Sequence, residues 1–382
     1  MRVLLTAAPS TGHIVPLLGI GTALRDIGHH VRLATHRSAH NLATRCRIEC
    51  FDVGMSEEQM ATERPLRWPE TQHQPVSQWA VRMFTEILAP SALEGLRDVV
   101  QDWRPDLVIH EEGEYAGPVA AASHGIPWVT HGWGSPLRST AELASLEADA
   151  ASLWRSTEID MPAAAGLYRH GLLNPCPPSL QSQAPGAATV WPIQPMPFQT
   201  GLNEATSPPL PSGDRGLAYI GFGTVARNAN AADALTAAIE AVVYHDLDAV
   251  VTTGNDALAH QLEAAHPGRV KARRFVSLPD LLPRCRLVIC HGGAGTVLAA
   301  LRAGVPLVLL PGGTPSQLRM TDSCDTAGLA RVTTLADATQ AVASLLSDTS
   351  LAYRTNDIAR EIDQMPHPTK LVSVLEDHAT AT

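Results

Sequence analysis

In each half of this chain, a short run of apolar residues gives way to a turn and then to an amphipathic helical pattern, several times over. Strands that alternate with helices build parallel sheets covered on both faces, because a helical crossover returns the chain to start the next strand in the same direction. In the first half Val3–Thr6 reads as a buried strand. It leads through a loop over residues 7–15 into a helix with Pro16 in its first turn, lined by Leu17, Ile20, Leu24 and Ile27 and capped at Gly28. Strands are expected again at Val31–Thr35, Asp106–His110 and Pro127–His131, with a short helix over Val119–Ser123. The second half restarts with a strand at Leu217–Phe222 and a helix over Ala231–Val243. Strands follow at Asp248–Thr252, Val270–Phe275, Leu287–Cys290 and Val305–Leu310, then a helix over Ser316–Thr326.

A chain of 382 residues suits two such domains. Ten of its 29 prolines fall between Pro175 and Pro211, which reads as a final irregular piece of the first domain and then a linker. The expected division is therefore residues 1–200, a linker over 201–212, a second domain over 213–366, and a terminal helix over 367–382 that packs back on the first domain. Residues 54–75 show little periodicity and read as a long loop entering a helix over Val76–Leu88. With Trp68 and Trp79 nearby, this stretch is either ligand-facing or a surface excursion packed by its own aromatics.

The formal net charge of −10 and the absence of a Lys/Arg block argue against nucleic acid or an anionic membrane as partner. Six cysteines without a C-x-x-C pair or zinc spacing read as free thiols in a reducing compartment. With a strand at the first residues and no stretch long enough to span a membrane, a soluble, cytoplasmic protein is expected.

The predicted strand Leu287–Cys290 runs straight into His291-Gly292-Gly293-Ala294-Gly295-Thr296, and a helical pattern begins at Ala294. A helix that starts on a glycine-rich turn presents unpaired N–H groups, and such a terminus attracts phosphate. The glycines let a ligand approach the backbone, while His291 and Thr296 add side-chain hydrogen bonds. The string is neither a P-loop nor G-x-G-x-x-G.

With Thr11-Gly12-His13-Ile14-Val15-Pro16, Gly221-Phe222-Gly223-Thr224, and Phe275 through Thr296 followed by Pro306–Gln317, nearly the whole chain resembles the GT-B glycosyltransferases, and within them the bacterial enzymes that decorate antibiotics and other natural products. The resemblance implies two Rossmann-like α/β domains facing across a cleft, with acceptor on the first and nucleotide sugar on the second. It implies diphosphate contacts at His291, Gly293, Gly295 and Thr296, with Thr224 reaching from the other loop. Phe275 and Val276 stand where similar enzymes bind the nucleobase, although Phe275-Val276-Ser277 replaces their usual Trp-x-Pro, which blurs the choice between uridine and thymidine. Ser316 and Gln317 stand where many relatives grip sugar hydroxyls with Asp-Gln. A serine in place of that carboxylate points to a deoxygenated or otherwise modified sugar. A helix terminus with a histidine and hydroxyls can hold a diphosphate without a divalent cation, so neither a metal nor another cofactor is expected.

His13 matches the family's catalytic histidine. A neutral imidazole can take the proton of an acceptor hydroxyl as it attacks the anomeric carbon. It works best when a carboxylate fixes its tautomer, and the strand Leu107–His110 ends in Glu111-Glu112-Gly113-Glu114 on the same sheet edge. The resemblance selects Glu111, with Glu114 as the alternative. The expected activity is inverting, metal-independent transfer from a TDP- or UDP-sugar to a hydroxyl of a small-molecule aglycone whose pocket lies near residues 68–83 and 133–173. A nucleotide-sugar 2-epimerase of the same fold and a non-catalytic nucleotide-sugar-binding homologue are the competing alternatives. Oligomeric state is not legible, and a homodimer is left open.

Overall fold

The computed structural model describes residues 1–155, 157–181, 189–196, 210–211, 214–223 and 231–380. Two wholly parallel sheets are present. The first holds β1 (Arg2–Thr6), β2 (His30–Thr35), β3 (Glu49–Asp52), β4 (Leu107–Glu111), β5 (Trp128–His131), β6 (Leu172–Asn174) and β7 (Val190–Pro192), in the order 3-2-1-4-5-6-7. The second holds β8 (Leu217–Gly221), β9 (Asp248–Thr252), β10 (Val270–Arg273), β11 (Cys285–Cys290), β12 (Leu307–Leu309) and β13 (Ala330–Val332), in the order 10-9-8-11-12-13. Both orders reverse direction at the first strand, between β1 and β4 and between β8 and β11. That reversal leaves a crevice at the carboxyl edge where open α/β sheets take ligands.

Central strands are apolar on both faces, which is why they read as continuous runs rather than alternations. β4, β5 and β8 are buried at every residue. Leu4, Val108 and Tyr115 pack into a cluster on one side of the first sheet, and Val3, Leu5, Ile14 and Ile109 into a cluster on the other. The helix Val372–Thr380 joins the latter, burying Leu371, Val372 and Leu375 against the first domain.

Several expectations need correction. The helix after β1 begins at Thr11, so His13 lies in its first turn rather than in a loop, and Pro16 lies inside the helix. β3, β6, β7 and β13 are short strands at or near sheet edges that the apolar pattern does not mark; β7 carries Pro192, which an edge strand tolerates. The stretch expected to be irregular after Pro175 therefore contains a strand.

The expected loop over residues 54–75 holds a helix, Glu57–Arg67, started by a reciprocal Ser56/Gln59 capping box. It buries no residue, so it carries no apolar stripe to read. Trp68 and Trp79 are buried, and each lies under an arginine: Arg82 is 4.4 Å from the Trp68 ring and Arg64 is 4.2 Å from that of Trp79. The following helix runs from Ala80 through a π turn at Phe84–Leu88 into Ala89–Trp103. Pro90, which has no N–H to give back to the turn before it, follows that π turn. Thr224 and most of the expected linker lie outside the described residues.

Candidate active site

β1 and β4 run side by side with Thr6 opposite His110, so the segments that follow them leave the same sheet edge together. That register brings the imidazole of His13 to Glu111, with Nδ1 2.8 Å from Oε1. Nδ1–H donates to the carboxylate, which leaves Nε2 bare. Glu111 is fully buried and accepts three further hydrogen bonds, from the amides of Ala8 (3.3 Å) and Gly113 (2.6 Å) and from the Trp133 indole (2.5 Å). Burial opposes its ionisation, but His13 and these donors outweigh it and hold the carboxyl below its usual value. Burial also opposes the charge on His13. There the charge and hydrogen bond of Glu111, with the charges of Glu57 and Glu112, prevail and raise the imidazole above its usual value. Trp133 and Phe84 wall the ring, with centroids 4.8 and 5.3 Å away.

Glu114 does not reach His13. Its carboxylate accepts from Thr6 Oγ1 at 2.5 Å and from the amides of Ala116 and Gly117, which opens the helix Ala116–Ala122. Burial, reinforced by Glu111, pushes its pKa up to about 7. Glu112 turns the other way, to the buried Arg138 guanidinium at 3.1 Å.

In the second domain β11 ends at Cys290, and the helix Ala294–Arg302 starts from Gly293 without a side-chain cap. The amides of Ala294 and Gly295 therefore have no backbone partner among the described residues, whereas that of Thr296 donates to the Gly293 carbonyl at 3.1 Å. His291 is buried beneath this turn, and a Cβ on Gly293 would lie 2.5 Å from its Nε2, so glycine is required there. Nδ1 of His291 has no partner among the described residues, and burial pushes the ring down to about 4, so it is neutral. A Cβ on Gly295, by contrast, would meet nothing within 4 Å. Thr296 lies in the same first turn.

The two domains enclose a cavity of about 230 Å³ between them. Val15, Pro16 and Trp133 line it from the first domain; Phe275, Gly295 and Thr296 line it from the second. Phe275, large and aromatic, is 51% exposed and borders this space; Val276 lines it too, although it is 4% exposed and packs into the core.

Ser316 and Gln317 open the helix Pro315–Thr326. Gln317 is 5% exposed and completes a capping box with Thr314, its Oε1 accepting from the Thr314 amide at 3.4 Å, while Ser316 Oγ lies 3.4 Å from Thr314 Oγ1. The T-x-x-Q spacing announces this cap in the sequence.

Three features escaped the sequence. Trp133 and Phe84 complete the surroundings of His13 from separate elements, and no local pattern marks them. Arg319, on the helix Pro315–Thr326, crosses to the first domain, donating to the Pro136 carbonyl at 2.9 Å and pairing with Glu142. The third is present in the sequence but was passed over: Asp246-Leu247-Asp248 has the D-x-D spacing of a divalent-cation motif, yet Asp248 is buried at the start of β9 and paired with Arg215 and Arg269. No three His, Cys, Asp or Glu side chains among the described residues are grouped to hold a metal ion, and no helix among them is long and apolar enough to cross a membrane.

Residues 22–201 and 236–378 match the models of the N- and C-terminal domains of erythromycin biosynthesis protein CIII-like proteins. L-demethylnoviosyl transferase of Streptomyces niveus is 31% identical, over 81% of this chain and 79% of its own. Elloramycin glycosyltransferase ElmGT of Streptomyces olivaceus is 28% identical over 98% of this chain and 97% of its own. Among solved structures, the glycosyltransferase SnogD from Streptomyces nogalater superimposes with a TM-score of 0.78 at 25% identity, covering 99% of both chains. Spinosyn rhamnosyltransferase SpnG complexed with thymidine diphosphate gives 0.77 at 24% identity, over 98% of this chain and all of that one, and so speaks for the fold. With two family models spanning most of its length and the two-sheet architecture of these structures, the chain belongs to the erythromycin biosynthesis protein CIII-like family of GT-B glycosyltransferases.

Proposed function

We propose that this enzyme transfers a sugar from a TDP- or UDP-sugar to a hydroxyl of a natural-product aglycone, by single displacement with inversion and without a metal ion. The observation that carries this is the His13–Glu111 pair, fixed at 2.8 Å, on the sheet edge that faces the donor-side helix start across the interdomain cavity. His13 Nε2 removes the acceptor proton as oxygen attacks the anomeric carbon, and Glu111 steadies the imidazolium that results. The unspent amides of the helix at Ala294, with Thr296 and His291, receive the charge that develops on the departing diphosphate. Phe275 borders the nucleobase. Ser316 and Gln317 meet the sugar. Without a carboxylate at Ser316, a deoxygenated or modified sugar suits the site better than an ordinary hexose.

The test is a panel of TDP- and UDP-sugars turned over with an aglycone library in EDTA, with the product's anomeric configuration read by NMR. Transfer undiminished by EDTA, with the anomeric configuration opposite to the donor's, is expected. A retained configuration, or activity restored only by added magnesium or manganese, overturns the mechanism. A strong preference for UDP-glucose over TDP-deoxysugars overturns the donor assignment.

A further inference from the structure

We propose that His131 accepts, through Nε2, a hydrogen bond from a hydroxyl of the transferred sugar, and that it thereby helps select the donors this enzyme uses. The proposal rests on the donor chemistry given above. His131 closes β5, and the parallel register sets it directly opposite Glu111 on β4, so both side chains leave the same face of the sheet about one strand spacing apart, ~4.8 Å. It is 3% exposed, yet it lines the interdomain cavity with Trp133 on one side and Gly295, Thr296 and Leu298 across from it. Nδ1 lies 2.8 Å from the Gly132 carbonyl. A carbonyl only accepts, so Nδ1 carries the proton and Nε2 holds a lone pair. No hydrogen bond among the described residues engages that nitrogen. That nitrogen opens onto the cavity, and a polar atom at a cavity wall with no protein partner is placed to take one from the ligand.

Burial pushes the His131 pKa down to about 4, although the Gly132 carbonyl and Glu111 act in the opposite direction. The ring is therefore neutral near pH 7. This fits an acceptor of an O–H group and disfavours contact with a phosphate oxygen, which has no proton to offer. Position along the donor agrees. The nucleobase belongs at Phe275 and the diphosphate at the helix start, so the part of the donor that reaches the Glu111 side of the cavity is the sugar. The same burial sets His131 apart from His13, whose affinity for a proton is raised; His131 is built to accept a hydrogen bond and not to carry away a proton.

Two substitutions separate this role from a structural one. His131→Asn keeps an N–H where Nδ1 donates to Gly132 but removes the distal acceptor, whereas His131→Gln places an oxygen near the position of Nε2. Equilibrium binding of TDP and of TDP-glucose, which carries hydroxyls at every free ring position, is measured for wild type and both variants. With His131→Asn, TDP-glucose affinity is expected to fall roughly tenfold or more, while TDP affinity stays within twofold and the far-UV spectrum and Tm are unchanged. His131→Gln is expected to recover most of the loss. If wild type binds TDP-glucose and His131→Asn binds it equally well, or loses TDP and TDP-glucose affinity in parallel, this inference fails and the proposed function stands. If wild type binds TDP but gains nothing from the glucose, the inference fails and the proposed function stands; if it binds neither of these nor UDP and UDP-glucose, the proposed function fails and the inference falls with it.

Discussion

Glu111→Gln changes one oxygen to an NH2 group and keeps the size of the side chain, so its effect follows from hydrogen bonds and the lost charge and not from packing. The wild-type carboxylate faces donors on both sides: His13 Nδ1–H and the Ala8 amide at Oε1, and the Trp133 indole and the Gly113 amide at Oε2. If the new NH2 takes the Oε2 place it confronts two fixed donors, at 2.5 and 2.6 Å, and neither can turn into an acceptor. At the Oε1 place it confronts the more distant Ala8 amide, at 3.3 Å, and a histidine that can change tautomer. The second arrangement wins. It puts the His13 proton on Nε2, the nitrogen that has to receive one from the acceptor. A base in the wrong tautomer costs on the order of 10²- to 10⁴-fold in kcat/KM, or ~3 to ~5 kcal/mol of transition-state stabilisation. The substitution also removes the charge that raises His13 and leaves the burial that lowers it. For wild type, kcat/KM climbs with pH as His13 loses its proton, with a midpoint above the ordinary histidine value; in Glu111→Gln the residual activity climbs at lower pH. The assay is kcat/KM across pH 5 to 9 (roughly the range over which histidine charge changes) with a saturating acceptor, alongside TDP binding and nitrogen NMR of the His13 tautomer. Activity within about fivefold of wild type at pH 8, with Nδ1 still protonated, would refute the reasoning.

The glycine turn yields a contrasting pair. Gly295→Ala adds a methyl group that touches nothing in the protein and favours the helix, so Tm should hold or rise by a few degrees while TDP affinity falls. Gly293→Ala drives a methyl group onto the His291 ring and should lower Tm as well as affinity; equal behaviour of the two variants in calorimetry and TDP titration would show that the turn is not a ligand surface. Arg138→Met leaves the buried Glu112 with only Arg319, at 4.0 Å, and the Trp133 amide, at 3.5 Å, and should cost up to about 3–5 kcal/mol in urea unfolding, with much of the loss recovered when Glu112→Gln is added. If the double variant is no more stable than Arg138→Met alone, the buried pair is not the origin of the loss.

Both domains were legible because their central strands are buried on both faces and leave unbroken apolar runs such as Leu287–Cys290, each followed by a helix with one apolar stripe. β6 and β13 were not: each has three residues, like β12, but β12 sits within the apolar run Val305–Leu310, whereas Leu172–Asn174 and Ala330–Val332 each carry a polar residue in so short a stretch. The helix Glu57–Arg67 buries nothing and could be found only by its Ser56/Gln59 cap. The pairing of His13 with Glu111 was expected from the family resemblance and from two local strings, one opening the first helix and one ending β4, and the fold does bring the two side chains together. Trp133 and Phe84 come to His13 from different elements and meet it only through the tertiary packing. His131 was legible as a strand residue but not as a site residue, since its meaning depends on the cavity opposite and on the one ring nitrogen left unbonded. At Gln317 the sequence suggested sugar contact, and the fold shows that much of its carboxamide is already engaged in starting a helix.

If His13 is the base of a glycosyl transfer, His13→Ala removes the group that takes the acceptor's proton. Steady-state transfer to a hydroxyl acceptor is compared with wild type, together with TDP-sugar binding and Tm. A fall of about 10²-fold or more in kcat/KM is expected, with donor affinity and folding intact, because the proposed nucleobase and diphosphate contacts lie on the other domain and His131 is held by β5 independently of His13. Full activity of His13→Ala on hydroxyl acceptors would contradict it.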